Sequence, residues 1–92
     1  MSALDYLERA AALMAERGKD YDKPAGERSM AATVAAFNAI TGRDLKEDEG
    51  WAFMLVLKLV RQAQKPGFHR DSAEDAVAYS ALMAEALERN WA

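Results

Sequence analysis

Two basic residues, Lys58 and Arg61, lie in the most apolar segment of the chain. Residues 51–60 read WAFMLVLKLV, with seven uncharged apolar residues ahead of the first cation. Residues three apart share one face of a helix, and a cation in apolar surroundings is costly unless an anion meets it. We therefore expect either a carboxylate of the chain or an anionic ligand, such as a phosphate, beside this pair.

Two carboxylates, Asp71 and Asp75, follow this segment after a short connection over residues 65–70. Helices joined by so short a connection pack antiparallel, which brings Asp71 or Asp75 within reach of Arg61. Two interpretations stay open. The four charged residues form a salt-bridge cluster that fixes the register of two helices, or they form a mixed site in which the cations bind phosphate and the carboxylates bind a metal or a ribose hydroxyl.

A second candidate site is the loop around Tyr21. Residues 18–27 read GKDYDKPAGE, with Lys19 and Lys23 two residues to either side of the aromatic ring. Such a ring can stack on a base while lysines bind phosphate. The alternative is a solvated loop with Tyr21 packed down as an anchor, which the interspersed acids favour.

Other reactive residue types are scarce. The chain has no cysteine and a single histidine, His69, so neither a thiolate site nor a zinc site has support. No glycine-rich phosphate loop is present, and no serine has a histidine partner nearby in the sequence. We predict no catalytic residue and no metal ligand.

Hydrophobic periodicity and helix-breaking residues predict four helices that position these groups. They cover about residues 3–17, 27–40 and 46–64, and a last stretch that begins at Asp71 or Ser72. Ser2 and Asp5 have the spacing of a capping box at the first helix. The apolar run predicts that the third helix is covered nearly all round, either at the centre of the fold or in an interface.

Composition limits the fold and the partners. The 92 residues, 51% of them hydrophobic, suit one helical domain over residues 1–92, an all-α, compact four-helix bundle. A domain this small has a marginal core, so we expect a homo-oligomer to complete it.

Charge and hydropathy patterns exclude several classes of protein. Twelve basic and fifteen acidic residues leave a net charge of −3, which argues against non-specific nucleic-acid binding. No apolar run approaches a membrane span, and acids within the first helix argue against a signal peptide. We expect a cytoplasmic protein without nucleic-acid or membrane partners.

Three segments, in order, resemble a family of uncharacterised small bacteriophage proteins that look distantly related to the MazG-like, all-α nucleotide pyrophosphohydrolases. They are RGKDYD at residues 17–22, MLVLKLVR at 54–61 and HRDSAEDAVAY at 69–79. The enzymes carry E-x-x-E on one helix and E-x-x-D on the next, and these carboxylates hold magnesium. Here Lys58 and Arg61 stand where acids are expected, while an acidic pair remains at Asp71 and Asp75.

This resemblance implies a MazG-like bundle that binds a phosphorylated nucleotide without catalysis and without a cofactor. A cyclic or ADP-ribose-type signal would be sequestered in the host cytoplasm to counter host defence. Lys58 and Arg61 would neutralise phosphate, together with Lys19 or Lys23 across a subunit boundary, and Tyr21 would stack on the base. Asp71 or Asp75 would accept hydrogen bonds from ribose hydroxyls.

Two alternatives belong to other functional classes. One is a reduced Mg²⁺-dependent pyrophosphohydrolase in which Asp71, Asp75 and Glu49 converge on one metal. The other is a protein–protein inhibitor that blocks a host factor through an apolar helical surface. Release of an intact nucleotide, formation of a product or co-purification of a host protein distinguishes the three.

Overall fold

The computed structural model describes residues 1–20 and 29–91, with residues 17–20 as helix backbone only. Within these ranges the chain forms four α-helices and no β-strand, so the all-α prediction is confirmed. The helices are α1 (Ala3–Asp20), α2 (Met30–Thr41), α3 (Glu47–Gln64) and α4 (Arg70–Trp91). None of these helices is long and apolar enough to cross a lipid bilayer.

Local hydrogen bonds explain where α1 begins and where α2 ends. The Ser2 amide donates to the Asp5 carboxylate at 2.8 Å, and the Asp5 amide donates to the Ser2 hydroxyl at 3.1 Å, which confirms the predicted capping box. Gly42 ends α2 in the left-handed region, with φ of 72°. Its amide donates to the Asn38 carbonyl at 2.9 Å, an arrangement that favours glycine.

One side-chain amide closes each of the two described connections between helices. Asn38 accepts from the Leu45 amide at 2.8 Å and donates to the Leu45 carbonyl at 2.9 Å. Gln62 accepts from the His69 amide and donates to the Gly67 carbonyl, both at 2.8 Å. In each connection, one backbone amide and one backbone carbonyl are therefore satisfied by a side chain of the preceding helix.

Helices α3 and α4 form an antiparallel hairpin at the centre of the fold. Contacts pair the start of α3 with the end of α4, where Glu47 lies 2.6 Å from Arg89. Other contacts pair the second half of α3 with the start of α4, where Lys58 lies 2.9 Å from Asp75. The antiparallel prediction is confirmed, and the hairpin fixes which residues of the two helices face each other.

The two outer helices pack on opposite members of this hairpin: α1 on α4, and α2 on α3. The core lies between α2, α3 and α4, and its buried side chains are Met30, Val34, Trp51, Leu82 and Ala86. A Cβ on Gly50 would lie 2.5 Å from Met30 Sδ and 2.9 Å from Val34 Cγ1. Glycine at this position therefore lets α2 approach α3 closely.

The bundle is more open than the sequence predicts. Its radius of gyration is 14.2 Å, against roughly 12 Å for a closely packed domain of this length. The expectation that α3 is covered nearly all round is wrong within the single chain, because Phe53 and Leu59 are 71% and 56% exposed. The other predicted location of α3, an interface, remains open.

Candidate functional site

Three residues of α3 lie along one side of the helix: Met54, Lys58 and Arg61, with Lys65 directly after the helix end. Spacings of four and three residues keep side chains on one helical face. The seven helical steps from Met54 to Arg61 span about 10 Å along the helix axis. This side of α3 and the side of α4 that faces it form a surface that we call the groove.

Lys58 and Asp75 form a nearly buried ion pair in the middle of the groove. Their charged atoms are 2.9 Å apart, and their side chains are 11% and 15% exposed. The carboxylate supplies the anion that a cation in apolar surroundings requires. For Lys58, the structure therefore has the arrangement of the salt-bridge interpretation.

Arg61 differs from Lys58 in its surroundings. Its side chain is exposed, and among the described side chains, those of residues 1–16 and 29–91, no carboxylate lies within 4.0 Å of its guanidinium. Asp71 is likewise exposed, in the first turn of α4. The structure thus brings Lys58 and Asp75 together and leaves Arg61 and Asp71 outside that pair.

An apolar cavity of about 240 Å³ lies at one end of the groove. Among the described residues, its walls carry no charged side chain. They consist of Met14, Ser29, Met30, Thr33, Trp51, Met54, Ala78, Tyr79 and Leu82. The rings of Trp51 and Tyr79 stack with centroids 5.6 Å apart and an interplanar angle of 26°. Flexible methionines beside stacked rings suit a flat, polarisable ligand.

A basic depression of about 290 Å³ lies at the other end of the groove. Its described lining contains two cations and no carboxylate: Arg61, Gln64, Lys65, Pro66 and His69. His69 is held in place because its amide donates to Gln62 and its ring nitrogen Nδ1 lies 2.5 Å from the Ser72 hydroxyl. The depression can accept an anion through charged donors.

The remaining predicted site residues lie outside what the structure describes. Tyr21 and Lys23 fall between residues 20 and 29, and the side chain of Lys19 is not among those described. Their assignment to base stacking and phosphate binding stays a prediction.

Sequence reasoning missed the two aromatic residues of the groove and its third cation. Once Lys58 faces Asp75 across antiparallel helices, the residues four positions away, Met54 and Tyr79, must also face each other. The spacing of Lys58, Arg61 and Lys65, three and then four residues apart, likewise places these cations on one side of the helix. This spacing could have predicted the basic end of the groove. The register of the hairpin was the missing piece of information.

Glu74 was also overlooked as a structural residue. Its side chain is 5% exposed, and one carboxylate oxygen accepts from Arg9 of α1 at 2.5 Å and from Arg70 at 3.0 Å. This ion cluster ties α1 to α4, and none of its three residues lines the apolar cavity or the basic depression.

A magnesium cluster of the pyrophosphohydrolase kind does not fit the described residues. Among the side chains that the structure describes, those of residues 1–16 and 29–91, there is no group of three or more histidines, aspartates or glutamates able to hold a metal. Glu49 precedes Lys58 by nine residues, or about 13 Å along α3. It therefore does not converge with Asp71 and Asp75, and Asp75 is already paired with Lys58.

The fold and the groove define the chain as a small all-α protein with an apolar cavity and a basic depression along one helical hairpin. The chain belongs to the DUF6378 family, a domain of unknown function whose model matches residues 5–87. This match spans nearly all of the four helices. No curated protein and no solved structure matches the chain significantly.

Proposed function

We propose that the chain binds a phosphorylated nucleotide in the groove and does not hydrolyse it. The observation that carries this proposal is the alignment of Met54, Lys58 and Arg61 on one side of α3. This alignment sets an uncharged aromatic cavity and a basic depression about 10 Å apart along the helix. A nucleotide has the matching polarity, with a flat base at one end, phosphate at the other and a polar ribose between them.

Each part of the groove has a role in this proposal. The base enters the cavity beside Tyr79 and Met54, where stacking and dispersion stabilise it. Arg61 and Lys65 bind the phosphates through charge-assisted hydrogen bonds. A ribose hydroxyl donates to Asp75, whose position Lys58 fixes. Asp71, Tyr21, Lys19 and Lys23 are further ligand contacts that the sequence predicts.

The arrangement of carboxylates favours binding over hydrolysis. Metal-dependent phosphoryl chemistry needs several carboxylates around its ions. In the groove, Asp75 is engaged by Lys58 at 2.9 Å, and Asp71 stands one helical turn away at the protein surface. Cations meet the phosphate directly instead.

The motif resemblance supports a more specific role for this binding. The three segments that resemble bacteriophage proteins and MazG-like enzymes suggest a chain that removes a cyclic or ADP-ribose-type signalling nucleotide from the host cytoplasm. Such sequestration would counter a defence system that the nucleotide activates. Addition of the purified chain to a nucleotide-activated nuclease tests this role, and the nuclease should lose activity and regain it with excess nucleotide.

Ligand uptake and release test the binding proposal itself. The purified chain is titrated by calorimetry with ADP, ADP-ribose, a cyclic dinucleotide and inorganic phosphate, each with and without Mg²⁺. The mixture is then denatured and the small molecules are separated by chromatography. We expect one nucleotide to bind and to be recovered intact, whereas a monophosphate or pyrophosphate product, or no uptake of any nucleotide, would overturn the proposal.

A matched pair of arginine variants tests the location. Arg61→Ala should weaken nucleotide binding by about tenfold or more, because it removes a charge-assisted hydrogen bond worth about 1.5–3 kcal/mol. Arg43→Ala removes an equally charged, exposed side chain in the α2–α3 connection and should leave binding unchanged. Equal losses in the two variants would indicate a general charge effect and contradict the groove.

A further inference from the structure

We propose that the exposed apolar face of α2 and α3 binds a second copy of this chain, with the two α3 helices antiparallel about a two-fold axis. The face, called the outer face below, consists of six large exposed side chains. They are Phe37 at 44%, Ile40 at 84%, Phe53 at 71%, Val56 at 54%, Leu59 at 56% and Val60 at 44% exposure. This inference does not rest on nucleotide binding.

The α3 part of the outer face is a continuous stripe opposite the groove. At 100° per residue, Phe53, Val56, Leu59 and Val60 fall within an arc of about 120° centred on Val56. The cations Lys58 and Arg61 lie on the other half of the helix, and the charged residues of α3 outside its first turn are these two. An arc this wide is the width that a helix presents to a packing partner.

The α2 part of the outer face has no charged residue at all. Its sequence from Met30 to Thr41 is MAATVAAFNAIT, yet among the described helices its backbone approaches α3 and neither α1 nor α4. A helix that is apolar all round is normally buried. Met30 and Val34 of α2 are buried in the core, whereas most of the other residues of α2 are exposed, which leaves a surface for a second covering helix.

The absence of charge on the outer face permits an identical partner. A two-fold axis sets each residue near the axis against its own copy, so a charged patch would repel itself. The centre of the outer face is uncharged, and antiparallel α3 helices also set opposite ends of their dipoles together. The face can therefore meet its own copy without charge repulsion.

The available area suits a stable dimer. The six side chains expose roughly 600 Å², taking about 150–200 Å² for each complete side chain. A standard interface buries about 800 Å² on each partner, so the six side chains alone account for most of one side of such an interface. The surface left open by the small core is thus close to what one further copy would cover.

The stripe also sets the register of the proposed contact. Its four residues are centred between Val56 and Leu57, so the axis passes there, and Phe53 of one copy faces Val60 of the other. Two Val56 side chains are then neighbours across the axis. Two Val60 side chains are separated by about 10 Å along the helix direction.

Sedimentation equilibrium with surface variants tests the occupant of the face. The unmodified chain should be a dimer at tens of micromolar, and Val56→Lys should shift it to monomer with unchanged helical circular dichroism. Leu7→Lys is the matched control, because Leu7 is 58% exposed on α1, outside the outer face. This variant should remain dimeric. If the unmodified chain is a monomer, the proposal is overturned, even if another protein binds the outer face. A dimer that persists in Val56→Lys would also overturn it.

Single cysteines test the register, because the chain has none of its own. Under mild oxidation Val56→Cys should form a covalent dimer, whereas Val60→Cys should not, since a disulfide requires Cα atoms within about 7 Å. Efficient cross-linking of Val60→Cys without that of Val56→Cys would overturn the antiparallel arrangement.

Discussion

At the scale of single residues, the pairing of Lys58 with Asp75 decides how the groove is built. A lysine in an apolar helix needs a nearby anion, and the structure provides Asp75 at 2.9 Å. Arg61, three residues later, is exposed and lines the basic depression. Two cations that look equivalent in the sequence therefore have different roles, one structural and one available to a ligand.

Removal of one partner from this pair should be costly. Lys58→Met strips the Asp75 carboxylate of its lysine in a nearly buried position and should lower the free energy of unfolding by about 3 kcal/mol. Urea unfolding followed by circular dichroism measures this loss. A double-mutant cycle with Asp75→Leu should show favourable coupling of at least about 1 kcal/mol.

An exposed pair of the same chemistry is the control. Lys46 and Asp44 lie 3.0 Å apart, with side chains 58% and 87% exposed. Lys46→Met should therefore cost less than about 1 kcal/mol. Losses of the same size at Lys46 and Lys58 would contradict the argument from burial.

The residue types of the groove were partly predictable from the sequence. The apolar run around Lys58 and the spacing of Asp71 and Asp75 left a salt-bridge cluster and a ligand site both open. They placed Arg61 within reach of an aspartate, whereas the structure pairs Lys58 with Asp75. The choice depends on the register of two antiparallel helices, which the connection sets through Gln62. Glu74 was missed because its spacing from Asp71 looks like a local helix-start feature, whereas its partner Arg9 lies in another helix.

At the scale of helices, the close approach of α2 to α3 depends on one missing side chain. Gly50→Ala places a methyl group 2.9 Å from Val34 Cγ1 and 2.5 Å from Met30 Sδ. Methionine can move aside, but a β-branched valine cannot turn freely. The variant should lose about 1–2 kcal/mol in the free energy of unfolding, because overpacking outweighs the gain of about 1 kcal/mol in helix propensity.

Chemical denaturation of two further variants checks the cause of this loss. Gly67→Ala meets no atom within 4 Å and should be nearly neutral. Val34→Ala in the Gly50→Ala background makes room for the methyl group and should cost less than Val34→Ala alone. If Gly50→Ala is as stable as the unmodified chain, α2 does not lie where the structure places it.

Helix positions were easier to predict from the sequence than helix faces. The predicted start of α1 and end of α3 agree with the structure to within a residue, because caps and helix breakers act locally. The helical spacing of Leu4, Leu7, Ala11 and Met14 predicts the inner stripe of α1. This prediction is wrong at Leu4 and Leu7, which are 63% and 58% exposed, while Ala10 is 4% exposed. In an alanine-rich helix several faces look apolar, and the partner helix determines which face is buried.

At the scale of the whole molecule, the outer helices are held less firmly than the central hairpin. Among the described residues, the backbone of α1 approaches α4 and no other helix. Large apolar residues near its start remain exposed. Few buried contacts mean a low free energy of local opening, so α1 should detach from the hairpin before the rest of the molecule unfolds.

Loss of the Glu74 ion cluster should make this detachment measurable. Glu74→Gln keeps the shape of the side chain but removes the charge that binds Arg9 and Arg70. Amide hydrogen exchange should become about tenfold faster in α1, equivalent to about 1.4 kcal/mol of local stability, and change little in α3. Glu88→Gln changes an exposed residue of the same helix as Glu74 and should leave the exchange rates of α1 and α3 unaltered. An equal increase of the exchange rates in α1 and α3 of Glu74→Gln would contradict local detachment.

The two tryptophans provide built-in optical reporters of different parts of this molecule. Trp51 is 4% exposed beside the apolar cavity, and Trp91, at the end of α4, is 84% exposed. The emission of Trp51 should be blue-shifted and hard to quench with acrylamide, and that of Trp91 red-shifted and easily quenched. A ligand in the cavity would then change the shielded component of the fluorescence and leave the accessible one as it was.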